Sequence, residues 1–343
     1  MTVKIISKPF LIGATAAALA CGIAGYAWRE GHRKPILEIY VFDLKSGSSV
    51  FIRTPDDKRI LIDGGADSAV IRELTDILPF YSRRIDMIIA TDAYGKDVSG
   101  LIDVLERYSV DKVVVPAVSL QSLGLASSTD QIYATFIDTV KRLKVSMVEV
   151  SAGDVLDFGQ GVVGQGVGGQ TVQAKVLFPV VPVSVSPGAA SSSKPAFQYS
   201  NASAPEIILK ISYDQTSVLL LGNATPKVQK FVASSTVPST TASSVRSGSN
   251  PLRADVLVVP HSALPDYFAA SAMNEMKPEY LIYSQAVTSA TKKVVPPDNA
   301  TTTSSKNQKV DPLYFVLDDK RFNVKEKGTV KAVLDGQSIN IAQ

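Results

Sequence analysis

Between Ile85 and Gly100 an apolar run, Ile85-Asp86-Met87-Ile88-Ile89-Ala90, ends in a polar loop, Thr91-Asp92-Ala93-Tyr94-Gly95-Lys96, and a helical pattern opens at Asp97 with Leu101, Ile102, Leu105 and Tyr108 on one face. Two carboxylates and an ammonium, packed between the end of a strand and the start of a helix, can hold a cation, move a proton or pair with one another. The supply of softer ligands decides which. The whole chain holds two histidines, His32 and His261, and one cysteine, Cys21. Cys21 falls in an apolar segment and His32 precedes the globular region, which leaves His261 as the single soft ligand for the fold. A catalytic zinc site takes three protein ligands, nitrogen or sulfur prominent among them, so zinc is expected to be absent and no cofactor is assigned.

The same loop resembles the metal-binding loop of the metallo-β-lactamase fold, and most closely that of the extracytoplasmic domain of ComEC-type competence proteins, written T-H-x-H-x-D-H-x-x-G. Position by position, this chain has Asp92, Tyr94, Lys96 and Asp97 where the family has His, His, Asp and His, while Thr91 and Gly100 are kept. Other stretches are similar to the family as well. Residues 39–50 resemble its opening V-F-D-V-G-Q-G-D-S strand and turn, and Ile60-Leu61-Ile62-Asp63-Gly64-Gly65 resembles its L-I-D-G-G. Residues 207–213 and 219–224 resemble a hairpin whose aspartate bridges the metals, a position filled by Asn223. Residues 254–263 resemble A-D-V-L-K-V-x-H-H-G with one imidazole, His261, of two, and residues 328–336 resemble the closing strands. The resemblance implies a degenerate site at Asp63, Asp92, Tyr94, Lys96, Asp97, Asn223 and His261, with its metals lost and no catalytic residue.

The replacements suit one another electrostatically. Carboxylates left without a metal repel and raise one another's pKa, and a lysine among them relieves this. Lys96 is therefore expected either to stand in for the metal's charge among Asp92, Asp97 and Asp63 or to point into solvent. A third reading, Ca²⁺ or Mg²⁺ held by oxygens of Asp63, Asp92 and Asp97, is opposed by Lys96. Asn223 reads as an isosteric stand-in that removes a charge no longer balanced by zinc. His261 reads as a remnant ligand or proton-transfer group, or as a hydrogen-bonded wall residue, and Ser262 beside it has no separate base to activate it.

Ahead of the globular region, residues 1–8 form a short tail with Lys4 and Lys8. Residues 9–28, from Pro9 to Trp28, carry no charge. As a helix this run spans about 30 Å, the thickness of a bilayer core, and Tyr26 and Trp28 sit where an interfacial belt would. It is expected to be a transmembrane anchor; Ala18-Leu19-Ala20-Cys21 only loosely resembles a lipobox. The residues Arg29 to Pro35 read as a linker. The charges flanking the span do not fix its orientation; the resemblance, the polar tracts and the lack of reactive cysteines place the C-terminal domain outside the cytoplasm.

Residues 36–343 read as one metallo-β-lactamase-like domain. Strands are expected at 36–44, 49–53, 59–62, 85–90, 113–116 and 144–150, and helices at 68–78, from Asp97 to near Tyr108, and at 130–143. Strands alternating with helices in both halves fit two sheets packed face to face with helices outside, an α/β four-layer αββα sandwich preceded by one transmembrane helix. Ser-, Thr- and Pro-rich tracts at 182–203, 233–250 and 294–309 read as surface loops. Gly159 to Gly169 lacks the Lys-Ser/Thr ending of a phosphate loop and reads as a hairpin or insertion. The sequons at Asn201, Asn223 and Asn299 are what chance supplies in a Ser/Thr-rich chain.

A formal net charge of +3 with 20% charged residues excludes a broad basic surface, and Arg83-Arg84, Lys141-Arg142-Lys144 and Lys292-Lys293 read as solvated faces. The expected function is that of a membrane-anchored, catalytically inactive binding or scaffold module, its partner a protein of a surface complex. The resemblance adds nucleic acid as a partner to test. Two rivals are a metal-dependent hydrolase of nuclease or phosphodiesterase type with a reduced site, and a structural envelope protein.

Overall fold

Central strands of this chain are apolar on both faces, Ile85-Asp86-Met87-Ile88-Ile89 and Val256-Leu257-Val258-Val259 being the clearest cases, which is the signature of parallel strands covered on both sides. Flanking strands alternate: Leu37, Ile39 and Val41 face one way, Glu38 and Tyr40 the other. The computed structural model describes residues 35–93, 95–118, 130–160, 171–181, 197, 199, 205–235, 250–259, 270–284 and 315–343. The anchor segment 9–28, Tyr94, His261 and almost all of the three Ser/Thr/Pro-rich tracts lie outside them. Among the described residues no helix is long and apolar enough to cross a membrane.

In chain order the elements of the first half are β1 (Leu37–Val41), β2 (Val50–Arg53), β3 (Arg59–Ile62), α1 (Ala69–Ile77), β4 (Arg84–Ile89), α2 (Gly95–Arg107), β5 (Ser109–Pro116), α3 (Asp130–Arg142) and β6 (Ser146–Val150). The second half has β7 (Val155–Gln160), β8 (Thr171–Phe178), β9 (Ile208–Tyr213), β10 (Thr216–Leu220), α4 (Pro226–Ser234), β11 (Val256–Val259), α5 (Ala270–Met276), β12 (Tyr280–Tyr283), β13 (Arg321–Asn323) and α6 (Val324–Lys327). The hairpin β14 (Val330–Leu334) and β15 (Ile339–Ala342) closes the chain and returns to the first sheet. The strand orders are β15-β14-β1-β2-β3-β4-β5-β6 and β13-β12-β11-β10-β9-β8-β7. Each sheet is antiparallel through its meander and parallel beyond it: β3 pairs β4 and β10 pairs β11 in parallel.

Three apolar layers give the stacking. Ile39, Ile52, Ile62 and Ile89 meet Leu209, Ile211, Tyr213 and Val258 between the sheets. Outside the first sheet, Phe51, Ile85 and Ile88 pack on Leu74 of α1, Leu101 and Leu105 of α2 and Phe136 of α3. Outside the second, Ile208, Leu219 and Leu257 pack on Val228 of α4 and Met273 of α5. Helix, sheet, sheet, helix is the four-layer order expected from the alternation of elements.

Most boundaries shift by a residue or two; β1 stops at Val41, three residues before the expected 44, and one strand differs by more. The strand expected at 113–116 begins at Ser109, because the parallel pairing of Arg84 with Ser109 and Lys112 with Ser146 carries the ladder through a polar, half-exposed start that hydrophobicity does not mark. Helix α2 opens at Gly95 rather than Asp97, which puts Asp97 inside its first turn.

Candidate functional site

The carboxyl ends of β3 and β4 stop side by side, and the peptide N–H of Asp63 bonds the carbonyl of Ile89 at 2.9 Å. In α/β sheets such strand ends form the crevice where functional groups collect. Asp63 takes a left-handed backbone conformation, φ 58°, unusual for a residue with a side chain. Its carboxylate is held on the neighbouring loop: Oδ1 accepts the Thr91 N–H at 2.8 Å and Oδ2 accepts the Thr91 hydroxyl at 2.6 Å. The Thr91 carbonyl in turn accepts the Ile207 N–H at 2.7 Å, so one threonine ties the first half of the chain to the second.

Asp97 is fully buried in the first turn of α2, where the helix dipole favours an anion. Its Oδ1 accepts the backbone N–H of Ser48 at 2.9 Å and the Ser48 hydroxyl at 3.1 Å. Helix α2 can come this close because Gly64 and Gly100 carry no side chain: a Cβ on Gly100 would lie 2.0 Å from the Gly64 carbonyl oxygen. Asp92 is also fully buried. The amide nitrogen of Asn223, reached from the end of β10, donates to Asp92 Oδ2 at 2.6 Å and to Asp97 Oδ2 at 3.2 Å. One NH₂ thus bridges two carboxylates drawn from different turns of the first half.

A fourth carboxyl joins them. Glu206, two residues ahead of β9, is buried, and its Oε2 has no hydrogen-bond partner among the described residues. Burial pushes the Glu206 carboxyl well above the usual carboxylate range; the charge of Asp92 adds to the rise, and the Asn223 backbone N–H opposes it. Asp63 is likewise pushed well above its ordinary value by burial and by Asp92 and Asp97, against the two Thr91 hydrogen bonds. The Tyr133 hydroxyl on α3 is pushed up to about 12 by burial, then by Glu149 and Asp92, and stays neutral.

Of the site residues expected from sequence, Asp63, Asp92, Asp97 and Asn223 come together. Tyr94 and His261 lie outside the described residues. Lys96 is exposed and makes no ion pair among the described residues, the second of the two placements expected for it: helix α2 turns its Asp97 face inward and its Lys96 face out. Among the described residues, the side-chain donor shared by Asp92 and Asp97 is Asn223.

Solved structures that align with the chain include metallo-β-lactamase-fold proteins and a hydroxylase. The metallo-β-lactamase fold protein YhfI from Bacillus subtilis is 12% identical with a TM-score of 0.39, covering 72% of this chain and 85% of its own. The CmlA β-hydroxylase is 14% identical with a TM-score of 0.39, over 73% of this chain and 46% of the other. The Rm3 metallo-β-lactamase is 12% identical with a TM-score of 0.34, over 71% and 74%. With TM-scores this low, the architecture stands on its own strand order and layers. No protein-family model matches the chain, and no curated protein matches it in sequence.

Zinc, which the sequence resemblance brings with it, does not fit the described donors. They are carboxyls and one amide, with no imidazole or thiolate, and the amide directs its N–H groups at the two carboxylates a metal would need to draw together. Among the described residues no group of three or more His, Cys, Asp or Glu is arranged to hold a metal ion. What the arrangement can do is hold protons and maintain a shaped, polar, closed corner at the meeting of the two halves.

Sequence reasoning missed Glu206 and Ser48 as site groups. Glu206 stands at the end of a Pro- and Ser-rich tract, just before the apolar run of β9, and composition alone assigns it to a loop. Its signal is positional: it precedes β9 by two residues, as Ser48 precedes β2 by two.

Proposed function

We propose that this chain is a membrane-anchored, catalytically inactive member of the metallo-β-lactamase fold, related to the ComEC type, that serves outside the cytoplasm as a binding or scaffold module. The observation that supports this reading is the Asn223 amide between Asp92 and Asp97 at 2.6 and 3.2 Å. An amide nitrogen has no lone pair to give a metal, and its two N–H groups satisfy the carboxylates directly. The partner proposed is a protein of a surface complex, with nucleic acid the alternative carried by the sequence resemblance.

Elemental analysis of the full chain, purified without chelators and without a histidine tag, tests it. The expected result is less than about a tenth of an equivalent of zinc, manganese or iron, since a resident structural or catalytic ion binds tightly enough to survive purification. Near one equivalent, together with hydrolase activity lost in Asp92→Ala, would instead establish the rival hydrolase with an oxygen-ligand ion. The feature that favours the rival is the Oε2 of Glu206, which has no hydrogen-bond partner among the described residues.

A further inference from the structure

The edge of the first sheet opposite the carboxyl cluster carries a different set of groups. Register places the starts of β1, β3, β4 and β5 together: Glu38 faces Arg53, Arg53 faces Arg59, and Arg84 faces Ser109. Helices α1 and α2 end over the same edge, since each leads into a strand that starts there. Between α1 and β4, Phe80 and Tyr81 are 90% and 77% exposed, their rings edge to face with centroids 5.3 Å apart. Two neighbouring aromatics this exposed contribute nothing to the core.

Phe80 borders a cleft of about 240 Å³ that is also lined by Ile71, Leu78, Tyr108, Arg83 and Arg107. Both guanidinium groups lie close enough to the Tyr108 hydroxyl to oppose the upward pull of burial on its pKa. The carboxylates of this edge are largely engaged elsewhere: Asp86 and Asp111 hold Arg84, and Glu106 holds Arg142. Arg83, Arg107, Lys141 and Lys144 make no ion pair among the described residues, and neither do the carboxylates Asp76, Asp103 and Asp138 on the helices that end here, so cations outnumber carboxylates by one and the two guanidinium groups stand at the cleft itself.

The chain outside the described residues enters at this same edge, through Pro35 and Ile36 into Leu37. Residues 29–36 can extend over at most about 28 Å, so a bilayer holding residues 9–28 stays within reach of the edge. We propose that the Phe80–Tyr81 pair and the arginine-lined cleft that Phe80 borders dock on the anionic headgroup region of the bilayer that anchors the chain. The aromatic rings sit at the interface between water and acyl chains, where amphipathic rings are favoured, and Arg83 and Arg107 meet lipid phosphates. The inference rests on the membrane-anchored reading above.

The test uses the full chain reconstituted in vesicles with and without anionic phospholipid, some of the lipid being brominated near the headgroup end of its acyl chains. Trp28, the one native tryptophan, reports the anchor in the unaltered protein. Tyr81→Trp and, as a control at the far end, Ser68→Trp are each placed in a Trp28→Phe background. Docking predicts strong quenching at position 81, little at position 68, and dependence on anionic lipid. Arg83→Gln with Arg107→Gln lowers the docked-to-free ratio roughly 25-fold, a cation at an anionic surface being worth about a factor of five. Quenching of Trp28 with none at position 81, or equal quenching at 81 and 68, overturns the docking and leaves the anchor standing. Quenching at 81 without quenching of Trp28 supports the docking and overturns the anchor, and quenching at neither overturns both.

Discussion

The two halves of the molecule run the same course and furnish their strand ends differently. In each, an antiparallel meander passes into parallel strands, and the last meander strand, β3 or β10, ends beside its parallel neighbour: Asp63 N–H bonds Ile89 in the first half, Leu221 N–H bonds Val258 in the second. Both turns then need a left-handed residue. The first places it at Asp63, φ 58°, and the second at Gly222, φ 56°. Glycine takes that conformation without steric cost, whereas an aspartate there is strained. The second half therefore divides the work, Gly222 shaping the turn and Asn223 supplying the polar group. The first half fuses both tasks in one residue and accepts the strain because the Asp63 carboxylate clamps Thr91. The carboxylates of the first half are thus part of its architecture, and the amide of the second half is their counterpart.

Restoring symmetry of charge should have the largest effect. Asn223→Asp puts a further carboxyl where an N–H donor now meets two others and is expected to cost about 3 kcal/mol at neutral pH, the scale of an uncompensated buried charge. Urea unfolding at pH 7 reads this, and an unchanged midpoint would mean that the amide is not the neutralising group.

The fused role of Asp63 is separable by two substitutions. Asp63→Ala loses the clamp and keeps the strain, at roughly 3 kcal/mol; Asp63→Gly loses the clamp and relieves the strain, so it should be about 1 kcal/mol less damaging. Equal losses in the two would show that the backbone conformation at Asp63 stores nothing.

The pH dependence sharpens the comparison from the second half. Glu206 binds its proton more tightly folded than unfolded, because burial and Asp92 raise its pKa above the ordinary 4.5. The folded state then holds more protons than the unfolded one above that value. Stability contributed by this group is present below pH 4.5 and is lost as pH rises through the raised folded pKa, with a slope of up to about 1.4 kcal/mol per pH unit. Glu206→Gln should flatten that part of the profile and raise stability at neutral pH. A profile identical to the unaltered chain would remove Glu206 from the cluster's balance.

The smallest effect is expected from Lys96→Ala. Its side chain is exposed and outside the cluster, and surface changes of this kind leave stability nearly unchanged. A marked drop in the urea midpoint would return Lys96 to the site and displace Asn223 as its neutraliser.

Much of this was legible in the residues. The β3 boundaries, the helices α1 and α3 and the strand before Asp92 follow from hydrophobic period and β-branched runs, because burial on one or two faces imposes those periods directly. The convergence of Asp63, Asp92, Asp97 and Asn223 followed from motif resemblance. Glu206 did not, since its neighbours in sequence are a polar tract while its neighbours in space, Asp92 and Asn223, are far along the chain. Lys96 could not be placed from sequence for the converse reason: it is adjacent in sequence to the buried Asp97, but a helix turns successive side chains by about 100°.

By itself, then, the sequence determined the alternation of elements, the sheet-and-helix layering, the scarcity of soft metal ligands and the carboxylate character of the first half's loops, all of them consequences of local period and composition. Only the tertiary structure decided which group neutralises those carboxylates, that a fourth carboxyl lies among them, and that an aromatic pair and its arginines share an edge with the entry of the chain. Those are matters of register and of contacts between residues more than a hundred positions apart, such as Asn223 with Asp92 and Asp97, which local sequence does not encode.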